Sequence, residues 1–304
     1  MQSVYAMHQS NTDNIEKQQK FLKFSLDGVL DLYLVMLSIF VEIQKAENTF
    51  LELTSKMHLA SKTDKNPNRK FVNNLAINVL VESSQLSIAL TDRKIDYWEL
   101  HSDYIQILLN DIKKSELYDV YMSNSVNDFA KDQNFLIAIF TEIIAPNDKL
   151  YDLLEDNKLT WIDDIPVVNT QIIKDFNSLK PLMSPDKFKI PKSFKDADDL
   201  EFATSLFSKT VLNETIFEKE FEDKTPNWDI TRIPEIDTII IKMGICEFLK
   251  YPQIPTKVTI NEYIEVAKEY STPNSATFVN GILNNILKEM TENKKIVKIG
   301  KGLM

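Results

Sequence analysis

Three histidines, one cysteine and a run of carboxylates are the side chains in this sequence with the widest chemical reach. His8, His58 and His101 lie on different segments with no cysteine or carboxylate at metal-ligand spacing, so surface or partly buried histidines are expected and no metal site. Cys246 is alone, which rules out an intrachain disulfide and fits a reducing cytoplasm. It sits inside an apolar run, where a small buried thiol is expected rather than a nucleophile. Between Asn147 and Pro166, the acids Asp148, Asp152, Glu155, Asp156, Asp163 and Asp164 surround Trp161. No Asp-x-Asp-x-Asp-Gly loop threads them, so they read as a solvated helix end and loop rather than a calcium or magnesium site. Gly-x-Ser-x-Gly, Cys-x-x-Cys and His-Glu-x-x-His are absent, and five glycines are too sparse for a phosphate-cradling loop. The sequon Asn213-Glu214-Thr215 is read as a chance match in a chain with no recognisable secretion signal. No enzyme, no catalytic residue and no cofactor are therefore expected, and what remains is binding.

The elements that must position binding residues are helices. The 304 residues carry abundant Leu, Ile, Lys, Glu and Asn with no sustained valine-threonine alternation, which predicts an all-α protein with ample length to bury a core. Met1 to Ser10 is helix-compatible, and Asn14 to about Ala60 reads as one or two long helices. Leu32 to Val41 is almost unbroken apolar but bracketed by Asp31 and Glu42. That length is too short for about 30 Å of hydrocarbon, so a core helix is expected and no membrane association. Lys62 to Lys70 reads as a solvated loop, although its lysines and Arg69 could also be taken for a basic RNA patch.

Four helices are predicted over 71–90, 95–115, 117–130 and 134–144, another over 167–182, and a connector from Met183 to Lys195 with Pro185, Pro191 and four lysines. The aromatic residues recurring from Trp98 to Phe140 could stack on bases, but few lysines interleave with them and helical core is the better reading. One long amphipathic helix is expected from about Ala197 through Phe221, and the basic tail Lys294 to Lys301 is expected to fray, although it could touch RNA. A net charge of −10 argues against broad, non-specific RNA affinity, yet leaves room for a local basic patch or for RNA binding beside a basic partner.

The most informative stretch is Pro226 to Leu287. Ile233, Ile236, Ile240 and Met243 keep three-four spacing, with Ile239, Ile241 and Ile245 widening the arc, so a central helix is predicted over 233–249. Tyr251-Pro252-Gln253-Ile254-Pro255 ends it. A capping box of Thr259 and Glu262 predicts a second helix from Ile260 to about Glu269, and Thr272-Pro273 predicts the start of a third, whose core stripe includes Phe278, Val279, Ile282 and Leu283. With Asn227-Trp228-Asp229, Asp237 before the isoleucine run, Ile254-Pro255-Thr256-Lys257-Val258-Thr259, Ala267-Lys268 and Phe278-Val279-Asn280-Gly281 in order and spacing, this run resembles the C-terminal half of the NusB transcription antitermination family. The likeness covers about Leu200 to Leu287 and one short N-terminal piece around Tyr5.

The resemblance implies a NusB-like helical bundle formed by residues 1–12 and 197–291, interrupted by a helical insertion over 13–196 and followed by a basic tail, 292–304. It also implies a cytoplasmic antitermination factor that binds boxA-type RNA of ribosomal-RNA transcripts together with the ribosomal protein NusE, in the RNA polymerase antitermination complex. The alternative is a helical scaffold that binds NusE without RNA. Family members occur as monomers and dimers, so a homodimer stays open. On the matching positions, Tyr5 and Asp237 are expected at the NusE contact, and Lys257, Asn274, Ser275, Thr277 and Phe278 near RNA. An ordinary helix-surface acid is the alternative for Asp237, a loop lysine for Lys257 and core packing for Phe278. Asn280 and Gly281 are expected as a cap and a close helix contact. The family's usual arginine-rich N-terminal segment has no counterpart, since only Arg69, Arg93 and Arg232 exist. The expectation is either a start assigned too late or a divergent chain with weakened RNA binding.

Overall fold

The computed structural model describes residues 1–10, 12–58, 61–222 and 233–299. Asn227, Trp228, Asp229 and Arg232 lie outside the described residues, as does Lys301. All regular elements among the described residues are helical. In chain order they are α1 (Gln2–Gln9), α2 (Ile15–Ser55), α3 (Lys62–Lys65), α4 (Leu75–Val81), α5 (Ser84–Asp92), α6 (Tyr97–Leu100), α7 (Ser102–Lys113) and α8 (Glu116–Met122). Then come α9 (Phe129–Ile139), a π-helical turn (Phe140–Ile144), α10 (Asp148–Asn157), a 3-10 turn (Leu159–Asp164) and α11 (Ile165–Ser178). After a 3-10 turn at Pro185–Lys187, the chain ends with α12 (Ala197–Leu212), α13 (Glu214–Glu222), α14 (Glu235–Lys250), α15 (Thr256–Tyr270) and α16 (Ser275–Glu292). Two compact units result, one of Met1–Phe24 with Phe194–Met304, the other of Ser25–Ser193. The first cut thus falls within α2 rather than after residue 12.

The Ser25–Ser193 unit is built on α2, whose residues from Leu32 to Phe40 are all buried. By length and composition α2 could cross a membrane, being longer and more continuously apolar than its central run suggests, but in this unit that run is core. Phe40 meets Phe176 edge-on at 5.1 Å between ring centroids, and the indole N–H groups of Trp98 and Trp161 donate to the Val35 and Gly28 carbonyls. The helix predicted over 71–90 is split because side-chain N-caps start new helices within it: the Asn74 side chain accepts from Ala76 and Ile77 at the start of α4, and Ser83 accepts from Leu86 at the start of α5. The 62–70 stretch is mostly exposed, as expected of a solvated loop, but opens with a helical turn and ends on a buried residue. Ser61 caps α3, and Lys70 is buried with its ammonium donating to the Tyr121 carbonyl at 2.6 Å and to Asn124 at 3.0 Å.

The acidic 147–166 stretch is likewise helical, and there burial, with Asp163 adjacent, pushes the Asp164 carboxyl up to about 6 from its usual 3.8. A raised acid favours the protonated folded state, so ionising Asp164 costs stability as pH rises through about 6. Asp164→Asn should therefore stabilise the protein by about 1–2 kcal/mol at pH 8 and by nothing near pH 4. Urea midpoints at the two pH values check this; an equal gain at both would show that charge is not the cause.

In the other unit α14 is central, and Ile239, Ile240, Ile241, Ile245, Cys246 and Phe248 are buried on every side of it. It packs against α1, α12, α13, α15 and α16. Burial pushes the Cys246 thiol up to about 11, leaving it protonated and unreactive at neutral pH. The predicted long helix over 197–221 is instead two, broken at Asn213, which leaves helical geometry at φ −119°, ψ 15°.

The capping box of Thr259 and Glu262 does not form. α15 starts a turn earlier, at Thr256, and the buried Thr259 hydroxyl donates to Glu247 Oε1 at 2.5 Å while Tyr263 donates to Oε2 at 3.2 Å. The 295–299 tail does not fray. Lys298 donates to the carbonyls of Glu247 and Tyr251, Lys295 pairs with Glu220, and the Ile299 amide donates to Pro252.

The close helix contact is at Gly244, not Gly281. A Cβ on Gly244 would lie 2.8 Å from a methyl of buried Leu283, whereas one on exposed Gly281 would meet nothing within 4 Å. Gly281→Ala should stabilise by about 1 kcal/mol through helix propensity. Gly244→Ala should instead destabilise by about 1–2 kcal/mol, because overpacking against Leu283 outweighs that gain. Thermal melts of both variants check the opposite signs.

Candidate functional site

The corner between α15 and α16 is built on hydroxyl spacing. Ser271 and Ser275 stand four apart, and both hydroxyls donate to the carboxylate of Asp237 in the first turn of α14, at 2.6 and 2.7 Å. The Thr272 amide donates to Ser275 Oγ at 3.2 Å, and the Thr272 hydroxyl lies 2.8 Å from it. Thr272 therefore does not cap in the predicted way; α16 begins at Ser275, and Asn274 precedes it without a side-chain capping bond. A hydrogen-bonded carboxylate in the first turn of α14 also suits the helix dipole.

Above this corner opens a cleft of about 460 Å³. Ile233 and Pro234 line one part of it, and Asn274, Thr277 and Phe278 present an amide, a hydroxyl and an aromatic ring. The cleft thus gathers five of the seven residues read from the sequence. Two of the five, Asp237 and Ser275, are only 2% exposed and are bonded to each other at the base of the cleft. Asn274 and Thr277 are exposed, and Phe278 is half-buried, packing partly on the core. Lys257 is exposed in the first turn of α15 and does not line the cleft; neither does Tyr5, exposed on α1.

Helix α1 is seated by buried Val4 and Met7 and by His8. The His8 Nε2 lies 2.7 Å from Glu214 and its Nδ1 3.0 Å from Glu235, which ties α1 to α13 and α14 and fixes where Tyr5 stands. Ser271 has no role assigned from sequence and Thr272 only that of a cap, although the Ser-Thr-Pro-Asn-Ser run places both. No group of three or more metal-binding side chains is found among the described residues.

Fold and cleft define an all-α bundle whose helix corner offers a mixed apolar, hydroxyl and amide surface. The NusB family model matches residues 177–288. A protein of Salinibacter ruber named transcription antitermination protein NusB is 38% identical over 110 residues, 36% of this chain and 69% of that protein. The protein of the same name from Thermodesulfovibrio yellowstonii is 38% identical over 122 residues, 40% of this chain and 80% of its own length. That of Geotalea daltonii is 37% identical over 91 residues, 30% of this chain and 63% of its own length. No solved structure matches. This chain belongs to the NusB family, and these relatives bear the name of a transcription factor, not of an enzyme.

Proposed function

We propose that the chain is a cytoplasmic transcription antitermination factor that binds boxA-type RNA together with NusE and so enters the RNA polymerase antitermination complex. The observation that supports this reading is the convergence of Asn274, Thr277 and Phe278 on one cleft, within the segment the family model covers. On this reading Phe278 offers a ring edge to a base, Asn274 and Thr277 offer hydrogen bonds, and Lys257 adds a phosphate contact. Tyr5, held by the His8 anchor, faces NusE, and the 25–193 unit is an insertion into the family's domain.

Binding of a boxA-type RNA against a scrambled one, with and without NusE, tests the reading; no preference for boxA under either condition overturns it. Asn274→Asp adds a negative charge at the start of α16 and should weaken RNA binding slightly, with tighter binding the contrary result. The net charge of −10 favours a second reading, a scaffold that takes up basic NusE without RNA. A NusE complex with no added affinity for boxA would select it.

A further inference from the structure

The Ser25–Ser193 unit holds a cleft of about 540 Å³ between the end of α11 and the turn at Pro185–Lys187, larger than the one at the α15–α16 corner. Lys180, Lys187 and Lys189 stand on its lining, all exposed, and among the described residues their ammonium groups make no hydrogen bond or ion pair. Two carboxylates stand among them, Asp175 on the same lining and Asp186 in the turn, and the lysines outnumber them three to two. Asp175 accepts from Tyr33 at 2.8 Å and from Gln171 at 2.8 Å, and Asp186 accepts from Ser84 at 2.6 Å. Residues 180–192 carry four lysines and one aspartate in a chain of net charge −10, so positive charge is concentrated where the rest of the chain is acidic. The excess of lysines over carboxylates on one cleft favours an anion there.

The backbone points the same way. Leu182 is fully exposed and has φ of 58°, a left-handed conformation that a branched residue rarely adopts. Strained, exposed apolar residues gather at binding loops. Beside it Pro181 and Met183 leave an apolar floor between the lysines.

We propose that this cleft is a second RNA-binding site, in which Lys180, Lys187 and Lys189 hold the phosphate backbone of single-stranded RNA and Leu182 lies against its sugars and bases. Lysine ammonium groups act as point charges without base selectivity, so the site adds affinity and not sequence preference. The proposal rests on the reading of the chain as an RNA-binding antitermination factor.

The test is the salt dependence of binding by the full chain to single-stranded RNA with a boxA-type element and flanks, and to a scrambled RNA of equal length. In the triple variant Lys180→Gln, Lys187→Gln, Lys189→Gln, the slope of log affinity against log salt should fall by about 2, from three contacts of about 0.7 each. Affinity near 0.1 M salt should drop roughly 10- to 100-fold for both RNAs, with boxA preference retained. The corresponding triple arginine variant should bind as the unchanged chain does. Since none of these ammonium groups bonds another described residue, melting temperature should not move.

An unchanged slope beside an intact boxA preference overturns this site and leaves the antitermination reading standing. A reduced slope with no boxA preference in any form does the reverse. Loss of binding to poly-glutamate by the triple variant, with RNA binding unaltered, would assign the cleft to an acidic protein and overturn the proposal. Absence of RNA binding by the unchanged chain overturns both.

Discussion

Glu247→Ala should lower the unfolding free energy by about 3 kcal/mol, among the largest effects of any single substitution in the Met1–Phe24 and Phe194–Met304 unit. Glu247 is a carboxylate at 6% exposure on the central helix, which is tolerable only because hydroxyls are arranged around it. Thr259 donates to one oxygen and Tyr263 to the other, both from α15, so the carboxylate fastens α15 to α14 through two buried bonds. Burial and the adjacent carboxylate hold the Tyr263 phenol well above its usual value, keeping its proton available as the donor. Alanine would leave the Tyr263 hydroxyl buried without this acceptor and the Thr259 hydroxyl with only the Pro255 carbonyl at 3.5 Å, and would open a small void, and the penalties act together. Glu247→Gln keeps the volume and one good acceptor and should cost about 1 kcal/mol. Urea unfolding of the two variants tests the difference; a loss below about 1 kcal/mol for alanine would show that the carboxylate is not what joins the helices.

The same residue shows how far the fold is legible in sequence. The spacing from Ile233 to Leu249 predicts α14 almost to its observed bounds, because a helix that is apolar on all sides needs no information beyond its own residues. Thr259 with Glu262 fits the capping pattern, yet the actual partner of the Thr259 hydroxyl is Glu247, twelve residues earlier and in another helix. Local pattern matching has no access to that competitor. The tail fails as an expectation for the same reason: Lys298 is held by carbonyls at the end of α14, a partner no basic run announces. Broken helices fail differently. Asn213, Ser83 and Asn74 are ordinary polar residues in sequence, and only the packing that follows them decides whether a helix continues or is capped. The cleft at the α15–α16 corner is half legible on these terms. Asn274, Thr277 and Phe278 belong to one helix and one face, so their convergence is local, whereas the burial of Asp237 is set by two serines from the far end of α15 and the start of α16.

That burial changes what a substitution at Asp237 should do. If Asp237 were a surface acid meeting a basic partner, Asp237→Ala would weaken association and leave the fold alone. Its carboxylate accepts both serine hydroxyls at the base of the cleft, so the variant should lose about 2–3 kcal/mol of stability, less than Glu247→Ala because Ser271 and Ser275 already lie 3.0 Å apart and can bond each other. The removal of a negative charge from the first turn of α14 adds a few tenths of a kcal/mol to that loss. Asp237→Asn retains one acceptor and should fall between the two forms. Ser275→Ala removes the hub that Thr272 also uses, so it should resemble Asp237→Ala, and the double variant should cost less than the sum of the single changes since both act on one network. Binding must then be measured at a temperature where every variant is folded. On this account Asp237→Ala weakens RNA or NusE binding only as far as it loosens the loop carrying Asn274, and Ser275→Ala weakens it equally. Full stability in Asp237→Ala with lost NusE binding would place the carboxylate at the partner surface after all, and would require the α15–α16 corner to open when the partner docks.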